Sequence, residues 1–226
     1  MQEGRTLFMD PAAVASYAVD ARRKVPGLAD LHRMTALLLA EHAPDDARVL
    51  VLGAGGGLEL ASMAAARAGW RFTGVDPSDA MLDLARAAVA PHADRVALVT
   101  GLIDAAPPGP FDGATCLLTL HFLPRDERLR TLQALRGRLR VGARLVVAHH
   151  VAIGDDGARW LARSAAFGSA GEADPAAAEA TGRMMAQRLP LLTPAAEEDL
   201  LREAGFVAVE MVYAALSFRG WVASAG

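Results

Sequence analysis

Apolar residues along this chain fall in short blocks that alternate between two rhythms. The runs 48–52, 71–75, 96–100, 113–119 and 144–149 are rich in Val and Leu and bounded by Gly, Pro or Asp, which predicts five strands. Helical patterns fill the gaps. Segment 77–90 starts with Ser78 in capping position and sets Met81, Leu82, Leu84 and Ala85 along one side. Segment 125–140 repeats Leu129, Leu132, Leu135 and Leu139 at helical spacing. Strands alternating with helices predict an α/β fold, a mostly parallel sheet covered by helices. After Gly205 the segments 206–213 and 216–223 predict a closing antiparallel pair, which brings the sheet to seven strands. Two helical regions, 11–42 and an Ala-rich insertion at 155–192, lie outside this alternation as potential lids, their alanines being good helix formers.

A length of 226 residues fits one domain with a substantial core. We divide it into an N-terminal helical lid (1–47), a ligand-binding core (48–154), a helical insertion (155–192) and a C-terminal helix and strand pair (193–226). No apolar run approaches the ~20 residues of a membrane span, and residues 1–10 lack a basic region followed by an apolar stretch, so a cytoplasmic location is expected. Cys116 stands alone in an apolar run, which predicts a buried thiol and neither a disulfide nor a cysteine metal site. The net charge of −3, with Lys and Arg scattered apart from Arg22, Arg23 and Lys24, argues against direct nucleic-acid binding.

The segment Val49-Leu-Val-Leu-Gly53-Ala-Gly55-Gly56-Gly57-Leu-Glu-Leu-Ala61 reads as a strand, a glycine turn and a helix start. Such a turn brings backbone close to a ligand, and the free N–H groups of the helix beyond it favour a nucleotide-like molecule. The dinucleotide pattern G-x-G-x-x-G fails in both registers, because its last glycine falls on Leu58 or Leu60. A phosphate-binding loop ending in Gly-Lys-Ser/Thr fails as well, since Leu58 and Glu59 follow Gly57.

The spacing Gly53-x-Gly55-x-Gly57, followed by Gly74-Val75-Asp76 at the end of the second strand, resembles the class I S-adenosylmethionine-dependent methyltransferases. Further matches are Gly101-Leu-Ile103-Asp104, Phe111-Asp112-Gly113 and Leu139-Arg-Val-Gly142-Ala-Arg-Leu145, so the resemblance covers roughly 48–150. It implies the Rossmann-like methyltransferase fold, with an antiparallel last strand, and S-adenosylmethionine as cofactor. Gly53, Ala54, Gly55 and Gly57 would cradle it, Asp76 with Pro77 would take the ribose, and Leu102 and Ile103 would pack the adenine. Asp104 would meet the adenine amino group, Thr119 at the end of the fourth strand would contact the cofactor, and His121 would face the methyl group. On the N-terminal lid, Tyr17, Arg22 and Arg23 would close over the cofactor, an arginine pairing its carboxylate, and Arg23 is the arginine chosen for it. The chain departs from the family at Val51 and Leu102, two positions where an acid is usual.

Segments 23–27, 204–206 and 218–223 are further similar to carboxy-S-adenosylmethionine synthase, a branch that uses prephenate in tRNA wobble-uridine modification. That likeness implies a homodimer and gives Arg183 the role of binding a carboxylate. The glycine turn here is the methyltransferase-like one. A sulfonium methyl is already activated, so transfer to a small-molecule acceptor asks mainly for alignment, water exclusion and sometimes a base. His121 at the end of the fourth strand is the candidate base and, with His149, a candidate substrate contact. His149 and His150 are adjacent in a strand and point to opposite faces, so no shared metal is expected. Three readings stand at this point: a small-molecule methyltransferase, a synthase-like enzyme, and a non-catalytic cofactor-binding protein.

Overall fold

The computed structural model describes residues 20–226. Its strands are β1 (Arg48–Leu52), β2 (Arg71–Asp76), β3 (Val96–Thr100), β4 (Phe111–Leu117), β5 (Leu139–His150), β6 (Phe206–Ala215) and β7 (Phe218–Ala225). They form one sheet in the order β3-β2-β1-β4-β5-β7-β6, with β1 to β5 parallel and β7 antiparallel to both its neighbours. The helices are α1 (Leu28–Ala40), α2 (Leu58–Ala66), α3 (Asp79–Ala88), α4 (Arg125–Arg136), α5 (Gly157–Phe167), α6 (Pro175–Arg188) and α7 (Pro194–Glu203).

Strand residues alternate between two buried faces, as the twofold side-chain period of a strand requires. Val49, Val51, Val146 and Ala148 pack against α1, α2 and α3 through Leu31, Leu39, Leu60, Met63 and Leu82. Leu50, Leu52, Leu145 and Val147 pack on the other face with Leu132 and Leu135 of α4 and Leu200 and Leu201 of α7. Cys116 is a buried free thiol in this second core. The order reverses direction beside β1, where β2 lies on one side and β4 on the other. In parallel sheets that reversal opens a crevice at the carboxyl ends of the strands.

Several element boundaries differ from the sequence pattern: β5 spans Leu139–His150, β6 ends at Ala215 and β7 spans Phe218–Ala225, and three further differences have a local cause. The helix predicted to run to residue 140 stops at Arg136, with Gly137 as its cap, and Leu139 instead pairs with Phe111 in the sheet. Leu139 thus owes its burial to a strand, although its spacing matches the helix. The fourth strand ends at Leu117 rather than at Thr119, because Leu118 takes a left-handed conformation (φ 57°) and turns the chain into a short helical turn, Leu120–Phe122. The helix after β2 is confined to Asp79–Ala88, with the Ser78 side chain accepting from the Met81 N–H at 3.3 Å.

The insertion forms a helical hairpin. Gly182 of α6 lies so close to α5 that a Cβ there would come within 2.5 Å of the Ala162 nitrogen. Behind the sheet, α4 and α7 are joined by Arg128 and Glu197, an ion pair with 0% and 2% side-chain exposure. Arg128 also donates to the carbonyls of Leu123 and Pro190, each at 3.1 Å. Removing one member leaves the other charge buried and unmatched, so Glu197→Ala is expected to lower unfolding free energy by about 3–5 kcal/mol. Urea denaturation checks this, and the double variant Arg128→Met/Glu197→Leu should regain most of the loss; a single-variant cost below ~1 kcal/mol would contradict it.

Candidate functional site

The site is built at the carboxyl ends of β1, β2 and β4. Gly53 and Gly57 take left-handed backbone conformations (φ 77° and 78°), which side chains resist. A Cβ on Gly53 would sit 1.9 Å from Thr119 Oγ1, and one on Gly57 would sit 2.7 Å from the Ala85 Cα. The turn is pinned to β2 by the N–H groups of Gly53 and Ala54, which donate to the Val75 carbonyl at 2.8 and 3.0 Å.

Asp76, the last residue of β2, holds this edge together. Its carboxylate accepts from the Gly55 N–H and the Ser78 N–H, each at 2.9 Å, and its own carbonyl accepts from the Gly101 N–H at 3.0 Å. Burial raises its pKa above the usual carboxylate value, and the two N–H bonds work in the opposite direction. A carboxylate offers about four acceptor positions, so roughly two remain for a ligand after these bonds. Pro77 beside it is exposed. On the β3 side, Leu102 is 53% exposed while Ile103 is buried, which gives an apolar shelf next to the exposed Asp104.

On the other side of the turn, two cavities adjoin. The smaller, about 20 Å³, is lined by Gly53, Ala54, Leu117, Leu118, Leu28, His32, Leu58 and Glu59. The larger, about 500 Å³, shares Leu28, His32 and Leu58 and extends to Arg22, Ala61 and Ser62. Glu59 is buried with its Oε1 unpartnered, and burial pushes its carboxyl up to about 7. The Thr115 hydroxyl favours its ionised form without meeting hydrogen-bond geometry. His32 is held down to about 4, mainly by burial and further by Arg22.

Past Thr119, a histidine cluster closes the edge. The His121 ring lies 5.2 Å from His150 and 6.4 Å from His149, and its Nδ1 has no partner. Burial, followed by the neighbouring histidines and Arg128, holds His121 well below the ordinary imidazole value, so it is neutral near pH 7. His150 shares a 2.7 Å hydrogen bond with Ser217 Oγ and stacks on Phe218 at 3.8 Å; burial brings it down to about 3. Ser217 Oγ in turn lies 2.6 Å from Ser164 Oγ on α5, which ties the insertion to this cluster.

Three expected contacts are placed differently. Arg23 donates to Asp20 at 2.7 Å and to the Gly168 carbonyl, while Arg22 is the arginine that lines the larger cavity. Adjacent residues on a helical turn face different sides, which is why the neighbour reaches the cavity and Arg23 reaches the insertion. His149 points into the second core, 1% exposed, with Nε2 3.1 Å from Glu197 Oε1 but out of hydrogen-bond geometry, and with Trp221 at 5.8 Å. Arg183 is 62% exposed and pairs with Glu179 at 3.5 Å, because Gly182 faces α5 and turns the next side chain outward. Tyr17 lies outside the described residues.

Glu59 and His32 are the site residues that sequence reasoning missed. Glu59 shares a helix face with Met63, and His32 falls among Leu28, Leu31, Ala36 and Leu39; an ionisable residue on an apolar stripe was the available signal. Among the described residues, no group of His, Cys, Asp and Glu could hold a metal ion, and no helix is long and apolar enough to cross a membrane.

The buried titratable groups make stability depend on pH. Histidines kept neutral in the native state but protonated in the unfolded chain contribute stability that is complete above about 6.5 and lost as pH falls toward their native values. Between pH 6.5 and 5, His32 and His150 should each cost about 2 kcal/mol, with His121 acting in the same direction. Glu59 opposes them: its neutral form is favoured in the native state, so its contribution is present below about 4.5 and lost as pH rises to about 7. Replacing it by Gln should therefore steepen the loss of unfolding free energy between pH 7 and pH 5 by about 2 kcal/mol. Parallel profiles for wild type and Glu59→Gln in urea titrations would contradict this assignment.

Comparison with known proteins bears on the same segment. Residues 50–145 match the family model described as a methyltransferase domain. No curated protein sequence matches the chain. Among solved structures, an O-methyltransferase family protein from Burkholderia thailandensis superposes with a TM-score of 0.69 at 15% identity, covering 99% of this chain and 62% of its own. PigF, solved with SAH, gives a TM-score of 0.69 at 16% identity, covering 97% and 61%. Human N-acetylserotonin methyltransferase, in complex with SAM, gives 0.63 at 12% identity, covering 100% and 59%. The chain spans about three fifths of the length of these structures. With its sheet order, its antiparallel β7 and the matched segment 50–145, this chain has the Rossmann-like methyltransferase fold of class I.

Proposed function

We propose that the protein is an S-adenosylmethionine-dependent methyltransferase acting on a hydroxyl of a small molecule. The observation that carries this reading is Asp76, a buried carboxylate braced by the Gly55 and Ser78 N–H groups with acceptor capacity left over at the strand edge. That fits a ribose diol. Leu102 and Ile103 supply an apolar shelf for the adenine, Asp104 an acceptor for its amino group, and the glycine turn with Thr119 the close backbone approach. The similar structure described as an O-methyltransferase family protein supports a hydroxyl acceptor.

When bound, S-adenosylmethionine supplies an activated methyl group. The remaining work falls to the chain. His121 is neutral at physiological pH, so a ring nitrogen has a lone pair available for the acceptor's proton. His150 and Phe122 fix that imidazole, Phe122 from a ring distance of 4.1 Å. The α5–α6 hairpin, joined to the cluster through Ser164 and Ser217, covers the acceptor side and excludes water.

Two variants test the reading. Asp76→Ala should weaken S-adenosylhomocysteine binding by roughly tenfold to a hundredfold in calorimetry, as charge-assisted hydrogen bonds disappear. His121→Gln should leave that affinity intact and lower kcat by about 10²–10⁴ once an acceptor is found in a panel of phenols and hydroxylated heterocycles. Wild-type protein that ignores S-adenosylhomocysteine at millimolar concentration would refute the proposal.

A further inference from the structure

In the proposed function His121 takes a proton, and His150 beside it serves only to hold that ring. The two rings lie edge to face, 5.2 Å apart. Two of their four nitrogens are turned inward: His121 Nδ1 is buried without a partner, and His150 Nδ1 lies 2.7 Å from Ser217 Oγ. The two Nε2 atoms are in neither state, so they are the polar atoms through which these 5% and 9% exposed rings meet the edge of the site. His149, by contrast, has both ring nitrogens buried and unpartnered. Phe218, stacked on His150 at 3.8 Å, holds the ring in this orientation.

The direction of the hydrogen bonds behind His150 decides which of its nitrogens carries the proton. Ser217 Oγ also lies 2.6 Å from Ser164 Oγ, and the Ser217 N–H donates to Ser164 Oγ at 3.3 Å. Both serines are buried. Among the described residues, the Ser164 hydroxyl has no hydrogen-bond acceptor other than Ser217 Oγ. If His150 Nδ1 donated to Ser217, the Ser217 hydroxyl would have to donate to Ser164, and the Ser164 hydrogen would be stranded in the interior. In the opposite direction every hydrogen is used: Ser164 donates to Ser217, and Ser217 donates to His150 Nδ1. A histidine that burial keeps neutral and whose Nδ1 accepts in this way carries its one proton on Nε2.

Two unlike groups therefore stand side by side, a donor at His150 Nε2 and, in the proposed function, a proton acceptor on His121. A hydroxyl that gives its proton to His121 needs a free lone pair for the methyl group, so a donor aimed at the same oxygen would compete with transfer. The donor is better matched by a second oxygen beside the first. We propose that Ser164 and Ser217 are positioning residues that hold His150 as a hydrogen-bond donor, and that this donor selects acceptors with a second oxygen on the carbon next to the reactive hydroxyl. The assignment rests on the methyltransferase reading above. Because Ser164 belongs to α5, it also makes the choice of acceptor depend on the docking of the insertion.

Two measurements on the protein loaded with S-adenosylhomocysteine test it. Long-range ¹H–¹⁵N NMR correlation of the histidine side chains, with the His150 signals identified by their loss in His150→Phe, should show the Nε2–H tautomer. An Nδ1–H pattern would overturn the proposal. Calorimetric titration with 2-methoxyphenol and 2-ethylphenol, which differ by one oxygen in place of a CH2 group, should give about tenfold tighter binding of the methoxy compound. That preference should fall to near parity in Ser217→Ala and in His150→Phe. Equal affinity of wild type for the two probes, failure of both to bind at millimolar concentration, or an undiminished preference in Ser217→Ala would each sink the assignment. Wild type that does not bind S-adenosylhomocysteine would instead overturn the function reading, and this assignment with it.

Discussion

The bond on which this structure depends is the pair of hydrogen bonds made by the Asp76 carboxylate, to Gly55 on one side and Ser78 on the other. It joins the turn after β1 to the start of the helix after β2. One N–H donor lies in a left-handed turn and the other at a helix start. Burying a carboxylate opposes this arrangement, and the raised pKa of Asp76 records that opposition. The fold accepts the cost because one side chain fixes the geometry of two loops at the strand edge. Gly74 shows how tight the surroundings are, since a Cβ there would come within 2.8 Å of Leu60 and 2.9 Å of Leu98.

A second polar layer lies beyond β4 and β5, and it follows a different rule. Burial keeps His150, at the end of β5, and His121, in the turn after β4, neutral; His150 bonds Ser217, which in turn meets Ser164, while His121 Nδ1 has no partner. Charge is present only where it is matched, in Arg128 and Glu197. The result is an uncharged imidazole in a buried setting, two residues beyond the Thr119 side chain that crowds Gly53.

Much of this was legible in the sequence, and the reasons are local. Strands β1 and β3 and the glycine turn follow from runs of Val and Leu that end in Gly or Asp, and Ser78 marks its helix start by capping chemistry. Failures came where a side chain obeyed two patterns at once. Leu139 extends the leucine spacing of α4 yet belongs to β5, because Gly137 ends the helix before it. Arg22 and Arg23 are indistinguishable by composition, and only the helical rotation between them sends one to the cavity and the other to Gly168. Glu59 lies within an apolar helical run, and it is buried beside Thr115 of β4, far away in sequence. Such long-range contacts are what a local pattern lacks.

The central claim, that the strand edge around Asp76 and the glycine turn is the cofactor site, is tested most directly by a crystal structure of the protein with S-adenosylhomocysteine. The account predicts both ribose hydroxyls on the Asp76 carboxylate, the adenine against Leu102 and Ile103, and the glycine turn unmoved. Density for the ligand elsewhere, or an intact Asp76 bridge with no ligand at saturating concentration, would contradict it.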